Sequence, residues 1–180
     1  VTLLEFMRGR HQNFMVFSDA TQFFWQGISP YTTEFVEAHG RYFLYSPVFT
    51  VLFAPFAYLP AWLGPFAWNL FNYSLFFVAI FTLPQPFTQQ QKCRMFLFLL
   101  LILGQSLLSF QYNITVAYLF LFAYTLLEKD RGFLAVLLIM ISGCTKVYGI
   151  FELALLLCYP HVWRNFGYAV AMGIVLLALP

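Results

Sequence analysis

One lysine stands alone in the most apolar part of the chain. It lies in Gly143-Cys144-Thr145-Lys146-Val147-Tyr148-Gly149, and an ammonium taken into lipid costs about 3 kcal/mol or more on insertion scales. The flanking glycines let the backbone break there and bring another group close. Lys146 is either a cationic contact for a phosphate-bearing ligand at the outer membrane edge or a lysine whose head reaches water or a helix terminus. Gln111-Tyr112-Asn113 carries uncharged hydrogen-bonding groups that suit the same ligand, or ties between helices. Asp19 sits on the polar face of an amphipathic stretch. A carboxylate there, opposite a phosphate-binding lysine, suits a general base taking a proton from an acceptor hydroxyl; the competing reading is a solvated surface aspartate. Glu152 lies six residues beyond Lys146, which is not an α-helical i,i+4 spacing, so no ion pair within one helix is expected. Glu34, Glu37 and His39 read as loop residues, and Asn69 and Asn72 as ties between helices. His11 and His161 have no metal-ligand spacing, and Cys93, Cys144 and Cys158 form neither a disulfide framework nor a zinc motif. Neither metal nor cofactor is expected.

The scaffold that must position these groups is oily. Of 180 residues, 62% are hydrophobic and 22% aromatic, with 24 Phe, while 9% are charged. Soluble domains carry about 25% charged residues, so a water-soluble fold is excluded. Nine Lys and Arg against seven Asp and Glu give a net charge of +2 with no basic run, which excludes a nucleic-acid-binding surface. What remains is an all-α, polytopic transmembrane helix bundle. Charge parity sets its topology. If residues 95–127 form a hairpin turning at 111–113, and 133–159 another turning around Lys146, then Lys92, Arg94, Lys129, Arg131 and Arg164 share one side. The positive-inside rule makes that side cytoplasmic. One long tilted helix per pair is the alternative, and it leaves Lys146 and Gln111 near mid-membrane.

Residues 1–42 then form an extracytoplasmic loop, and 43–180 a transmembrane bundle that is part of a larger membrane domain. The chain opens at Val1 and stops at Pro180 inside an apolar run, so it reads as a piece of a longer protein. Within 1–42, Val16, Phe17, Ala20, Phe23 and Phe24 make one helical stripe, with Asp19, Gln22 and Gln26 on another face. The expectation is an amphipathic helix on the outer membrane surface, apolar side down, ending at Gly27. Ser46-Pro47 starts a further helix, with Ser as cap and Pro at the first position, and Pro55 kinks it.

Several strings in order carry a resemblance: Asn13-Phe14-x-Val16-Phe17-x-x-Ala20, Gly27-x-x-Pro30-Tyr31, Tyr45-Ser46-Pro47-x-Phe49, Leu52-Phe53-Ala54-Pro55-Phe56-Ala57, Trp68-Asn69-x-x-Asn72, Gln111-x-Asn113 and Lys146-Val147-Tyr148-Gly149. Together they resemble the N-terminal half of glycosyltransferase family 87, integral-membrane enzymes of the GT-C superfamily that use polyprenyl-phosphate sugars. The resemblance implies a GT-C-like fold in the cell inner membrane with its active site facing outside the cytoplasm, in the service of the cell envelope. It implies a polyprenyl-phosphate sugar donor and a glycan or glycolipid acceptor, with hexosyl or pentosyl transfer and a piece of this length inactive by itself. Lys146 would meet the donor phosphate, Gln111 and Asn113 would hydrogen-bond phosphate or sugar, Asn13 would orient a hydroxyl or cap the helix that follows it, and Tyr31 and Tyr45 would wall the site. Many relatives have Asp-Phe where this chain has Asn13-Phe14. Asn cannot take a proton at working pH, which leaves the base to Asp19, to a later part of the protein, or to no residue in an inactive relative. The rival function is a transporter or flippase for a lipid-linked or small anionic solute.

Overall fold

The computed structural model describes residues 12–178. They form an all-α membrane helix bundle: α1 Gln12–Trp25, α2 Thr33–His39, α3 Pro47–Ala57, α4 Leu63–Phe81, α5 Gln89–Leu108, α6 Asn113–Glu128, α7 Gly132–Thr145, a 3-10 helix Val147–Cys158, and α8 Val162–Ala178. Among the described residues, α4 is the helix long and apolar enough to cross a membrane unaided; the shorter apolar helices include α3, α6, α7 and the 3-10 segment.

The apolar stripe expected on α1 is present, but protein covers it. Phe14, Val16, Phe17 and Ala20 are buried, and Phe17 packs its ring on Phe49 and Phe53 of α3 at 4.9 and 5.6 Å. Periodicity marks the buried side of a helix without saying whether lipid or protein buries it. The polar side of α1 also has a structural duty. Ser18 Oγ and Gln22 Nε2 each donate to the carbonyl of Ala57, both at 3.3 Å, satisfying the last turn of α3. Glu34, Glu37 and His39, expected in a loop, lie on α2. Its start is capped by Thr32 Oγ1, which accepts from the Phe35 N–H, and it ends at Gly40, whose φ of 64° a glycine tolerates. Ser46 precedes Pro47 at the start of α3 as expected, yet its hydroxyl makes no capping bond. At 11 residues α3 is about 16 Å long, half of a hydrocarbon core of about 30 Å.

Both hairpins are present. The chain breaks between α5 and α6, and Phe87, ahead of α5, packs on Tyr124 near the far end of α6. The second reversal, at Lys146, is tight because of two glycines. A Cβ on Gly149 would sit 2.5 Å from Ser142 Oγ, and one on Gly143 would sit 3.2 Å from the Ile150 backbone. The return arm is a 12-residue 3-10 helix. At about 2.0 Å per residue it extends about 24 Å, where an α-helix would reach about 18 Å, so a short segment covers more of the bilayer. In this geometry residues i, i+3 and i+6 align, which puts Gly149 and Glu152 on the buried side. Glu152 accepts from Ser142 Oγ at 2.8 Å, so no Lys146–Glu152 pair forms, for a different reason than the α-helical spacing. Asn72 Oδ1 accepts from Thr115 Oγ1 at 2.5 Å and ties α4 to α6.

Contacts at the loop ends sort the cations. Lys92 Nζ donates to Phe81 O at 3.2 Å, Arg164 lies 3.8 Å from Asp130, and Tyr159 donates to Glu128. Lys92, Arg94, Lys129, Arg131 and Arg164 therefore gather at one end of the bundle, as charge parity requires. Lys146 and Arg41 lie at the other.

Candidate functional site

Lys146 joins α7 to the 3-10 helix: its N–H donates to Ser142 O at 2.9 Å, and its carbonyl accepts from the Gly149 N–H at 2.8 Å. Its Nζ donates to Asn113 Oδ1 at 2.7 Å, and Tyr148 OH donates to the same oxygen. Asn113 Nδ2 in turn donates to Gln111 Oε1 at 2.7 Å. The ammonium also lies 5.3 Å from the Tyr45 ring centroid and 4.9 Å from that of Tyr148, within cation–π range. A neutral amide and aromatic faces hold this charge; among the described residues no carboxylate does.

Beside it opens a cavity of about 480 Å³ lined by Asn13, Val16, Phe17, Arg41, Tyr42, Leu44, Tyr45, Gln111 and Lys146. Arg41 supplies a second cation. Its Nη1 donates to Asn13 Oδ1 at 2.9 Å, while Asn13 Nδ2 donates to Ser109 O at 2.7 Å. Asn13 thus bridges the end of α5 to the Arg41 guanidinium, a task that uses both halves of its amide. Two cations face one cavity, and among the described residues that line it there is no acidic side chain, so the local field favours an anion. Residues 43–180 match the sequence profile of Glycosyltransferase family 87.

The chain belongs to glycosyltransferase family 87. Its class is that of a membrane glycosyltransferase, with a sugar donor and an acceptor as substrates. No curated protein and no solved structure matches it. The match starts at Phe43, so Lys146, Gln111, Asn113 and Tyr45 fall inside the family region, and Asn13, Asp19, Tyr31 and Arg41 precede it.

Of the residues expected at the site, Lys146, Gln111, Asn13 and Tyr45 line this cavity, and Asn113 tethers the lysine. Tyr31 stands behind the wall and donates from its hydroxyl to Tyr45 O at 2.7 Å. Burial pushes the phenol of Tyr31 up, so it stays the protonated donor of that bond at physiological pH. Asp19 is not brought to the cavity. The cavity-facing side of α1 carries Asn13, Val16 and Phe17, whereas Asp19 turns to α2 and its Oδ2 lies 2.8 Å from His39 Nε2. His39 Nδ1 faces Phe35 O at 2.8 Å, and the ring stacks on Phe35 at 4.2 Å.

Arg41 is the site residue that sequence reasoning passed over. The signal was available: a charge directly after the helix-stopping Gly40 and two residues before the first buried aromatic of the bundle needs the same justification as Lys146.

Proposed function

We propose that this protein transfers a sugar from a polyprenyl-phosphate carrier to a hydroxyl-bearing glycan or glycolipid acceptor, from the inner membrane, with the pocket facing away from the cytoplasm. The observation that carries this reading is the pairing of Arg41 and Lys146 on one cavity without a carboxylate, in a chain of this glycosyltransferase family. In glycosyl transfer from a phosphate donor, negative charge accumulates on the leaving phosphate, and fixed cations in a water-poor site stabilise it. Asn113, itself donating to Gln111, holds the lysine head, and Gln111 offers its amide beside it. Asn13 sets the guanidinium, and Tyr45, buttressed by Tyr31, forms the wall. The orientation follows from the basic cluster at the opposite end.

An apolar cavity of about 340 Å³, lined by Phe49, Phe53, Phe56, Trp68, Tyr112 and neighbours, supports a lipid-linked donor. A single aromatic layer separates it from the cation pocket: Tyr45 packs on Tyr112 at 5.7 Å and on Phe49 at 4.6 Å. Headgroup charge and isoprenoid tail would thus find their complements side by side.

The test uses the full-length membrane protein in lipid nanodiscs with radiolabelled polyprenyl-phosphate hexose or pentose. Lys146→Ala is expected to weaken carrier binding about 100-fold and the more exposed Arg41→Ala about tenfold, as charge-assisted hydrogen bonds worth about 1.5–3 kcal/mol are lost. Transfer by Lys146→Ala at the wild-type rate would sink the reading. Carrier binding without sugar transfer would mark a transporter instead.

A further inference from the structure

Beside the cation pocket, α2 and the residues leading into it form a second, shallower cleft of about 250 Å³, lined by Tyr31, Thr32, Thr33, Val36, Glu37 and Tyr42. Tyr42 also lines the cation pocket, so the two cavities are one side chain apart. The cleft is registered against the pocket wall. Tyr31 donates to Tyr45 O at 2.7 Å and packs on Phe43 at 5.7 Å, and Tyr45 is the ring beneath the Lys146 ammonium. Its chemistry differs from that of its neighbour. Among the described residues the pocket has two cations and no acid, whereas the cleft has a carboxylate, hydroxyls and two tyrosine rings, both at least half exposed.

Those are the groups a pyranose needs. A flat aromatic face covers the C–H face of a sugar ring, while a carboxylate and hydroxyls accept from and donate to its hydroxyl groups. Glu37 is free for this work: among the described residues it enters no ion pair and accepts no hydrogen bond. Asp19 is engaged by His39 and borders neither cavity, and Glu34 borders neither.

We propose that this cleft is the acceptor subsite, binding a pyranose, and that Glu37 takes the proton of the attacking hydroxyl. The proposal rests on the sugar-transfer reading above. In the step, the acceptor oxygen bonds to the anomeric carbon while the anomeric carbon–oxygen bond to phosphate breaks. The electron pair leaves with the phosphate, held by Arg41 and Lys146, and the hydroxyl proton passes to the Glu37 carboxylate. A base acting this way contributes about 10²–10⁴-fold.

The experiment uses full-length protein in nanodiscs, methyl pyranosides as acceptor probes and polyprenyl-phosphate hexose or pentose as donor. Pyranoside binding is read by saturation-transfer NMR, and donor binding and turnover are read separately. Tyr42→Ala is expected to weaken pyranoside binding about tenfold. Glu37→Gln is expected to keep donor affinity within twofold of wild type and to lower turnover at least 100-fold, and Glu34→Gln to match wild type. Turnover by Glu37→Gln within threefold of wild type overturns the proposal, and so does a loss found in Asp19→Asn instead. A wild type that binds donor but no pyranoside overturns the cleft alone. One that binds pyranoside but no donor overturns the phosphate-linked donor while supporting the cleft.

Discussion

Cations gather at both ends of this bundle, under opposite conditions. At one end Arg164 shares the surface with Asp130 at 3.8 Å, Lys92 caps the last carbonyls of α4, and Arg94, Lys129 and Arg131 are exposed. Carboxylates and water are present there, and nothing organises the charges around a cavity that lacks acids. At the other end Arg41 and Lys146 are steered by amide oxygens of Asn13 and Asn113, and both border one cavity with no acidic lining among the described residues. A cation set by a neutral acceptor keeps its full charge available to a ligand, whereas one beside a carboxylate has spent part of it. The first end is what orientation in a membrane requires; the second has the form of a binding site.

The contrast depends on a backbone device that the basic end does not need. Lys146 is placed by the reversal at Gly143 and Gly149, and a Cβ added at Gly149 would sit 2.5–2.7 Å from Ser142. Gly149→Ala should therefore cost about 1–3 kcal/mol through overpacking and displace the lysine. It should lower the thermal unfolding midpoint and abolish carrier binding. Gly167→Ala on α8, with nothing within 4 Å of the new methyl, should do neither. A Gly149→Ala protein with normal stability and binding would show that the turn does not hold Lys146 in place.

A smaller effect is expected at Asn13, and it sharpens the comparison most. Asn13→Asp would put a carboxylate on Arg41, giving the pocket the kind of ion pair found at the basic end, and would remove the donor that meets Ser109 O. Carrier affinity should fall about tenfold, the equivalent of about 1.4 kcal/mol. Because Asp can take a proton where Asn cannot, the opposite result is informative. A rise in turnover would identify it as a base position and would recast Arg41 as the partner of that base.

The sequence made parts of this legible for physical reasons. A lone lysine between glycines in an apolar run has few ways to be accommodated, so the hairpin and its charged tip could be read from residues 143–149. Charge parity likewise put Lys92, Lys129 and Arg164 together before any contact was known. The α1 stripe was visible, but the hydrophobic effect does not distinguish burial by lipid from burial by Phe49 and Phe53. The 3-10 arm was hidden because a run such as Ile150–Cys158 is nearly uniformly apolar and has no period to read. Arg41 was hidden because its place depends on Asn13, 28 residues away in sequence. The Thr32 cap and Gly40 stop of α2 were present in the sequence, yet a helix of 7 residues between them is too short to show amphipathicity.

The smallest expected effect tests whether the two ends are independent. Lys129→Ala with Arg131→Ala removes two exposed charges from the basic end. Mobile ions screen charges over about 8 Å at physiological ionic strength, and the 16 residues of α6 that run from one end to the other extend about 24 Å. Carrier affinity should therefore change by less than about 1.5-fold at physiological salt. Reporters fused after Gln90 and after Lys129 should both still read cytoplasmic, because Lys92, Arg94 and Arg164 remain. If the double variant instead lost carrier binding about tenfold while reading cytoplasmic at both fusions, neither screened charge nor inverted insertion could account for the loss. The remaining route would be mechanical: α6 joins the two ends directly, with Asn113 at its first residue bonded to Lys146 and Glu128 at its last bonded to Tyr159. A shift of that helix would reach the pocket through Asn113, and Asn113→Ala should then make the two loop substitutions silent.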